Sequence, residues 1–95
     1  MTLRTVPPLP GLVLRHQILK PRGLMQAELA RAMGLSSVRI SQIMNGRAPI
    51  TVETALRLGQ VTGTEPEYWI RLQTDYDLFH AKKRLAPILG ELPKL

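Results

Sequence analysis

The 95 residues contain no cysteine, which excludes a disulfide framework and a thiolate metal site. Histidine is almost as scarce: His16 and His80 stand alone, neither with a second histidine three or four residues away, so no metal site is expected. No apolar run approaches the roughly 18 residues of a membrane span. The opening residues, MTLRTVPPLPGLVLRHQ, lack the long apolar stretch and small-residue cleavage site of a secretory signal. The expectation is a cytoplasmic protein with no membrane association.

Catalytic groupings are missing too. Asp75 and Asp77 lie two residues apart, a spacing that cannot make a facing acid–base pair on a helix. There is no glycine-rich phosphate loop. No enzyme activity and no cofactor are expected. Acidic residues are few, 7 against 13 lysines and arginines, giving a net charge of +6. Such a balance favours an anionic partner, nucleic acid first, although the same charge would also serve solubility alone. The charge is uneven. Residues 1–23 carry Arg4, Arg15, Lys20 and Arg22 with no acid, whereas residues 51–79 carry Glu53, Glu65, Glu67, Asp75 and Asp77 against Arg57 and Arg71. A basic cluster, Lys82-Lys83-Arg84, follows, where a helix end suits positive charge.

Hydrophobic residues make up 44% of the chain, too many for a disordered segment, and the length suits one domain. A domain this small buries a modest share of its surface, so pairing with a second copy would help stability. No segment reads as a strand, and the expectation is an all-α fold of five helices. Residues 1–11 form an extended arm, because Pro7, Pro8 and Pro10 oppose regular hydrogen bonding. A first helix spans about 12–19, offering Leu12, Leu14, Ile18 and Leu19 to the core, and is stopped by Pro21 and Gly23. A second spans about 26–33. A third spans about 37–44, capped by Ser36. A fourth is capped by Thr51 and ended by Gly63. Thr64-Glu65-Pro66-Glu67 reads as a capping box opening a fifth helix, which runs to about Arg84 and is closed by Pro87. The helical domain covers 12–84, and an apolar tail covers 85–95.

The stretch QAELARAMGLSSVRISQIMN, residues 26–45, is either a plain helical hairpin or a DNA-binding helix-turn-helix. The second reading demands a small residue at the helix crossing, a turn residue tolerant of positive φ, and a branched apolar residue pointing back into the crossing. Ala30, Gly34 and Ile40 fall at these places, and Leu29, Met33, Leu35 and Ile43 can close the small core. The outward positions are then Ser37, Val38, Arg39, Ser41 and Gln42, a face with no acid. Arg39 can pair with guanine, Gln42 with adenine, and Val38 can touch a thymine methyl; an ordinary solvated face is the alternative. Gln26 opens the first helix of the pair, where free N–H groups and the helix dipole favour a phosphate. Asn45 and Arg47 could hold a second one.

The same stretch resembles the lambda-repressor-like, or XRE-type, helix-turn-helix. The continuation ITVETALRLGQVTGTEPEYWIRLQTDYDL resembles the HigA/VapI group of type II antitoxins, whose I-T-x-[ED]-T-A-L-R-L and G-T-x-P-E-[FY]-W-x-x-L-Q-x-x-Y-D-L patterns fall at 50–58 and 63–78. The similarity covers about 12–82. It implies a protein that neutralises a RelE-like ribonuclease toxin, HigB, and represses its own operon as a homodimer on palindromic double-stranded operator DNA. The alternative is a stand-alone repressor of the same type with no toxin. Carried over residue by residue, the DNA contacts fall on Gln26, Ser36, Ser37, Val38, Arg39, Ser41, Gln42, Asn45 and Arg47. The resemblance also favours the fifth helix and the tail as the dimer interface, through Trp69, Leu72, Tyr76 and Phe79, whose default role is core packing. Dimerisation would set two recognition helices roughly 34 Å apart. The acids along the fifth helix could meet a basic toxin or simply be solvated. Two departures stand out. Met25 replaces the usual Ser or Thr cap, at a cost of about 1 kcal/mol. The usual H-P-G-E opening is here Leu9-Pro10-Gly11-Leu12, without the histidine or the glutamate.

Overall fold

A computed structural model describes residues 6–95. Among them there are five helices and no strand, the lambda-repressor-like architecture expected. Helix α1 occupies residues 10–22, α2 is Gln26–Met33, α3 is Ser37–Met44, α4 is Val52–Thr62 and α5 is Pro66–Leu89.

The helix ends differ from expectation at the prolines. Helix α1 starts at Pro10, not Leu12, because the first helical position has no intrahelical use for the N–H that proline lacks. The arm therefore yields Pro10 and Gly11 to the helix, and its first five residues lie outside the described part. Nor does Pro21 stop α1. The preceding turn, Arg15–Leu19, is a wider π turn, which relieves the crowding between a proline ring and the carbonyl four residues back. Pro87 likewise does not close α5, which continues to Leu89. Proline there has no N–H for the bond to the Lys83 carbonyl, yet the helix runs two residues beyond it. At 24 residues, α5 is about 36 Å long and reaches well past the body of the protein.

The core draws on every helix: Leu14, Ile18 and Leu19 from α1; Leu29, Ala30 and Met33 from α2; Ile40, Ile43 and Met44 from α3; Ala55 and Leu58 from α4; and Trp69 from α5, with Ile50 from the connecting loop. Leu12 is exposed instead of joining it. Gly11 lies so close to the C-terminal end of α3 that a Cβ there would collide with the Ile43 carbonyl and come within 2.7 Å of Met44 Cα.

Two of the three expected side-chain caps form. Ser36 Oγ accepts from Arg39 N at 3.1 Å, and Thr51 Oγ1 accepts from Thr54 N at 3.2 Å. Thr64 does not cap α5: the capping position is Glu65, which makes no such bond. The Thr64 hydroxyl instead accepts from the Trp69 indole N–H at 2.8 Å and lies 2.7 Å from the Thr62 hydroxyl. Thr62 donates its own proton to the Leu58 carbonyl, so Thr64 must be the donor between the two threonines. Indole, two hydroxyls and carbonyl thus form one directional chain in which each polar atom is satisfied.

Candidate nucleic-acid interface

Helices α2 and α3 cross as the motif requires. Ala30 and Ile40 are buried at the crossing. Gly34 takes the left-handed conformation, φ 71°, between them, which a side chain would resist. The Leu35 N–H reaches back to the Ala30 carbonyl at 2.9 Å and closes the turn. Leu29, Met33 and Ile43 are buried, and Leu35 is half-buried.

That packing leaves one side of α3 outward. Ser36, Ser37, Val38 and Gln42 are exposed, while Arg39 and Ser41 are half-buried. Asn45 and Arg47 continue this side beyond the helix, and both are exposed. Asn45 Nδ2 lies 3.4 Å from Ser41 Oγ, a contact that steadies both groups. Ser36 uses its oxygen as a helix cap but keeps its hydroxyl proton free to donate, so capping and phosphate binding are compatible. Gln26 sits at the N-terminus of α2, half-buried. Here Met25 supplies no capping side chain, yet half of the usual cap survives: the Met25 N–H donates to the Glu28 carboxylate at 2.9 Å. The nearest acid is therefore occupied with backbone.

After α3 the chain folds back on itself. The Gln42 carbonyl accepts from both Arg47 N, at 2.8 Å, and Ala48 N, at 3.2 Å. The chain then runs through Pro49 to Ile50, whose side chain is buried.

The residues expected at a dimer interface are not all available to one. Trp69 is fully enclosed by the chain's own core, so it cannot contact a second copy. Leu72, Tyr76 and Phe79 are half-buried. Phe79 edges an open groove with Pro7, Pro8, Leu78 and Ala86, and Lys83 Nζ lies 5.4 Å from the centre of its ring.

Several residues that shape the site were not anticipated. Arg57 on α4 donates from Nη1 to the Met33 carbonyl at 2.8 Å, at the end of α2, while its Nε lies 3.4 Å from Glu53. A guanidinium there satisfies a free carbonyl at the negative end of the helix dipole. Arg22 does the same for α4 through the Thr62 carbonyl, also at 2.8 Å. Gln73 on α5 accepts from Ile50 N at 2.8 Å. Among the described residues, no group of three or more His, Cys, Asp or Glu residues is placed to hold a metal, and no helix is long and apolar enough to cross a membrane.

Comparison with known proteins places this geometry. A helix-turn-helix family model matches residues 16–69. Virulence-associated protein I of Dichelobacter nodosus is 42% identical over 74 residues, covering 78% of this chain and 68% of the relative. The solved structure of antitoxin GraA superposes with a TM-score of 0.90 at 34% identity, over 97% of this chain and all of the other. That of Pseudomonas aeruginosa antitoxin HigA with the higBA promoter superposes with a TM-score of 0.87 at 30% identity, over 94% and 98% of the two chains.

Proposed function

Since the chain belongs to the helix-turn-helix family, within its HigA-type antitoxins, we propose that it represses its own operon as a DNA-bound dimer and neutralises a RelE-like ribonuclease toxin, HigB. The observation that carries the DNA half is the outward side of α3, where Ser36, Ser37, Val38, Arg39, Ser41 and Gln42 face out with no acid among them. In this reading Arg39, Gln42 and Val38 read base edges in the major groove. Gln26, Ser36, Ser37, Ser41, Asn45 and Arg47 hold backbone phosphates and set the register. A HigA structure so similar over nearly the whole chain, solved with promoter DNA, supports the assignment. Leu72, Tyr76 and Phe79, half-buried on a helix that outreaches the body, supply the contact with the second protomer.

The toxin half is tested by co-expressing this protein with the product of the adjacent reading frame. The expected result is that the partner alone arrests growth, that this chain restores it, and that the two co-purify. If no neighbouring product is toxic, or if arrest persists with this chain abundant, the protein is a stand-alone repressor.

A further inference from the structure

Gln73 lies on α5, away from the outward side of α3, yet it makes the single hydrogen bond, among the described residues, that ties the loop 45–50 to any helix other than α3. Its Oε1 accepts from Ile50 N at 2.8 Å, and its Nε2 donates to Asp77 Oδ1 at 3.0 Å. These two partners fix which way the amide points, since a backbone N–H needs the oxygen and a carboxylate needs the nitrogen. The loop is thereby pinned at both ends. Its near end is held by the Gln42 carbonyl, through Arg47 N and Ala48 N. Its far end is held by Gln73, with Pro49 restricting the backbone between. Arg47, Gln73, Tyr76 and Asp77 line one cleft, so the arginine and the residue that anchors its loop are close in space.

We infer that Gln73 is a positioning residue for DNA binding: by holding Ile50, it sets where Arg47 stands relative to α3 and so allows both to engage one duplex. The inference rests on the proposed DNA-binding function and deepens it. Removing the amide leaves the Ile50 N–H unpaired at a buried residue, and the loop must move to reach water. Arg47 then loses its fixed distance from the outward side chains of α3. Because Gln73 sits between Leu72 and Tyr76, the loop is also tied to the helix proposed to meet the second protomer.

The test is a salt series of operator-binding titrations on wild type, Gln73→Leu, Gln73→Glu/Asp77→Asn, Arg47→Ala and the Gln73→Leu/Arg47→Ala double variant. The probe is the duplex from upstream of the gene. Each protein is first checked by thermal melting to be folded at the assay temperature. Each phosphate contact contributes about −0.9 to the slope of log affinity against log salt. Arg47→Ala should flatten the slope by about 0.9 per protomer and weaken binding roughly tenfold or more. Gln73→Leu should flatten it similarly, and the double variant should bind no worse than Arg47→Ala alone. Gln73→Glu/Asp77→Asn keeps an oxygen for Ile50 N, keeps a donor–acceptor pair between positions 73 and 77 with the roles exchanged, leaves the net charge unchanged, and should keep a slope near that of wild type. The inference is overturned if folded Gln73→Leu keeps the wild-type slope, if the Gln73→Leu/Arg47→Ala variant loses the product of the two single losses, or if folded Gln73→Glu/Asp77→Asn flattens the slope as Gln73→Leu does. Should Gln73→Leu not fold, Gln73→Glu/Asp77→Asn and the hydrogen-exchange protection of the Ile50 amide decide, protection in wild type being required. No operator preference in the wild-type protein would instead sink the DNA-binding reading itself, and an unchanged slope in Arg47→Ala would sink the phosphate role of that residue.

Discussion

Replacing Trp69 with alanine is expected to lower unfolding stability by about 3–5 kcal/mol, the range for truncating a large buried aromatic side chain. Trp69 is wholly enclosed and is the one residue of α5 that is fully buried, so it is the main attachment of that helix to the body. Its loss also leaves the Thr64 hydroxyl without the indole N–H it accepts. A domain of this size shifts in melting temperature by about 4–8 °C per kcal/mol, so a calorimetric or circular-dichroism melt reads the effect easily. Phe79→Ala is the informative contrast. Phe79 is only half-buried and lies on the open groove, so this variant should cost the monomer far less and should weaken self-association in sedimentation. Equal losses of stability in the two variants would show that α5 is not divided between core and interface in this way.

Gly11→Ala should be the next most damaging change, at about 2–3 kcal/mol, near the top of the usual range for overpacking. The added methyl would meet the Ile43 carbonyl oxygen and Met44 Cα. Both are backbone atoms, which cannot rotate aside as a side chain would. Relief requires α1 and the C-terminal end of α3 to separate, which also disturbs the segment leading to Arg47. Loss of operator affinity should therefore accompany loss of stability. Gly90→Ala serves as the control: Gly90 has an ordinary helical backbone, φ −66°, and the nearest atom to a Cβ is 3.6 Å away. That variant should be neutral or slightly stabilising. A Gly11→Ala melt matching that of Gly90→Ala would refute the close approach.

What could be read in the sequence was whatever is signalled within a few residues. The limits of α2, α3 and α4 agree because Ser36 and Thr51 cap from adjacent positions and Gly34 and Gly63 end helices in the left-handed conformation. The outward side of α3 follows from periodicity once Ile40 and Ile43 are assigned to the core. Proline misled where its cost depends on context: Pro10 in a first turn, Pro21 behind a π turn, Pro87 near a helix end. Thr64 carried a local cap signal, but a buried indole needed an acceptor, and that tertiary demand prevailed. Helical spacing put Trp69, Leu72, Tyr76 and Phe79 on one stripe, yet spacing cannot say where along α5 the body of the protein ends. Arg22, Arg57 and Gln73 were invisible for a related reason. Each reaches a backbone atom 40, 24 or 23 residues away in sequence, and nothing local marks such a bond.

Base reading by α3 is tested most directly by a single titration. Wild type and an Arg39→Ala/Gln42→Ala variant are titrated, at one stated salt concentration, against a duplex from upstream of the gene and a scrambled duplex of equal length. The wild type should prefer the upstream duplex by roughly a thousandfold or more. The variant, folded by melting, should lose most of that preference, since each bidentate base contact is worth about 1–3 kcal/mol of discrimination, while keeping the salt-dependent affinity that phosphates confer. Equal binding of both duplexes by the wild type, or an undiminished preference in the variant, would contradict it.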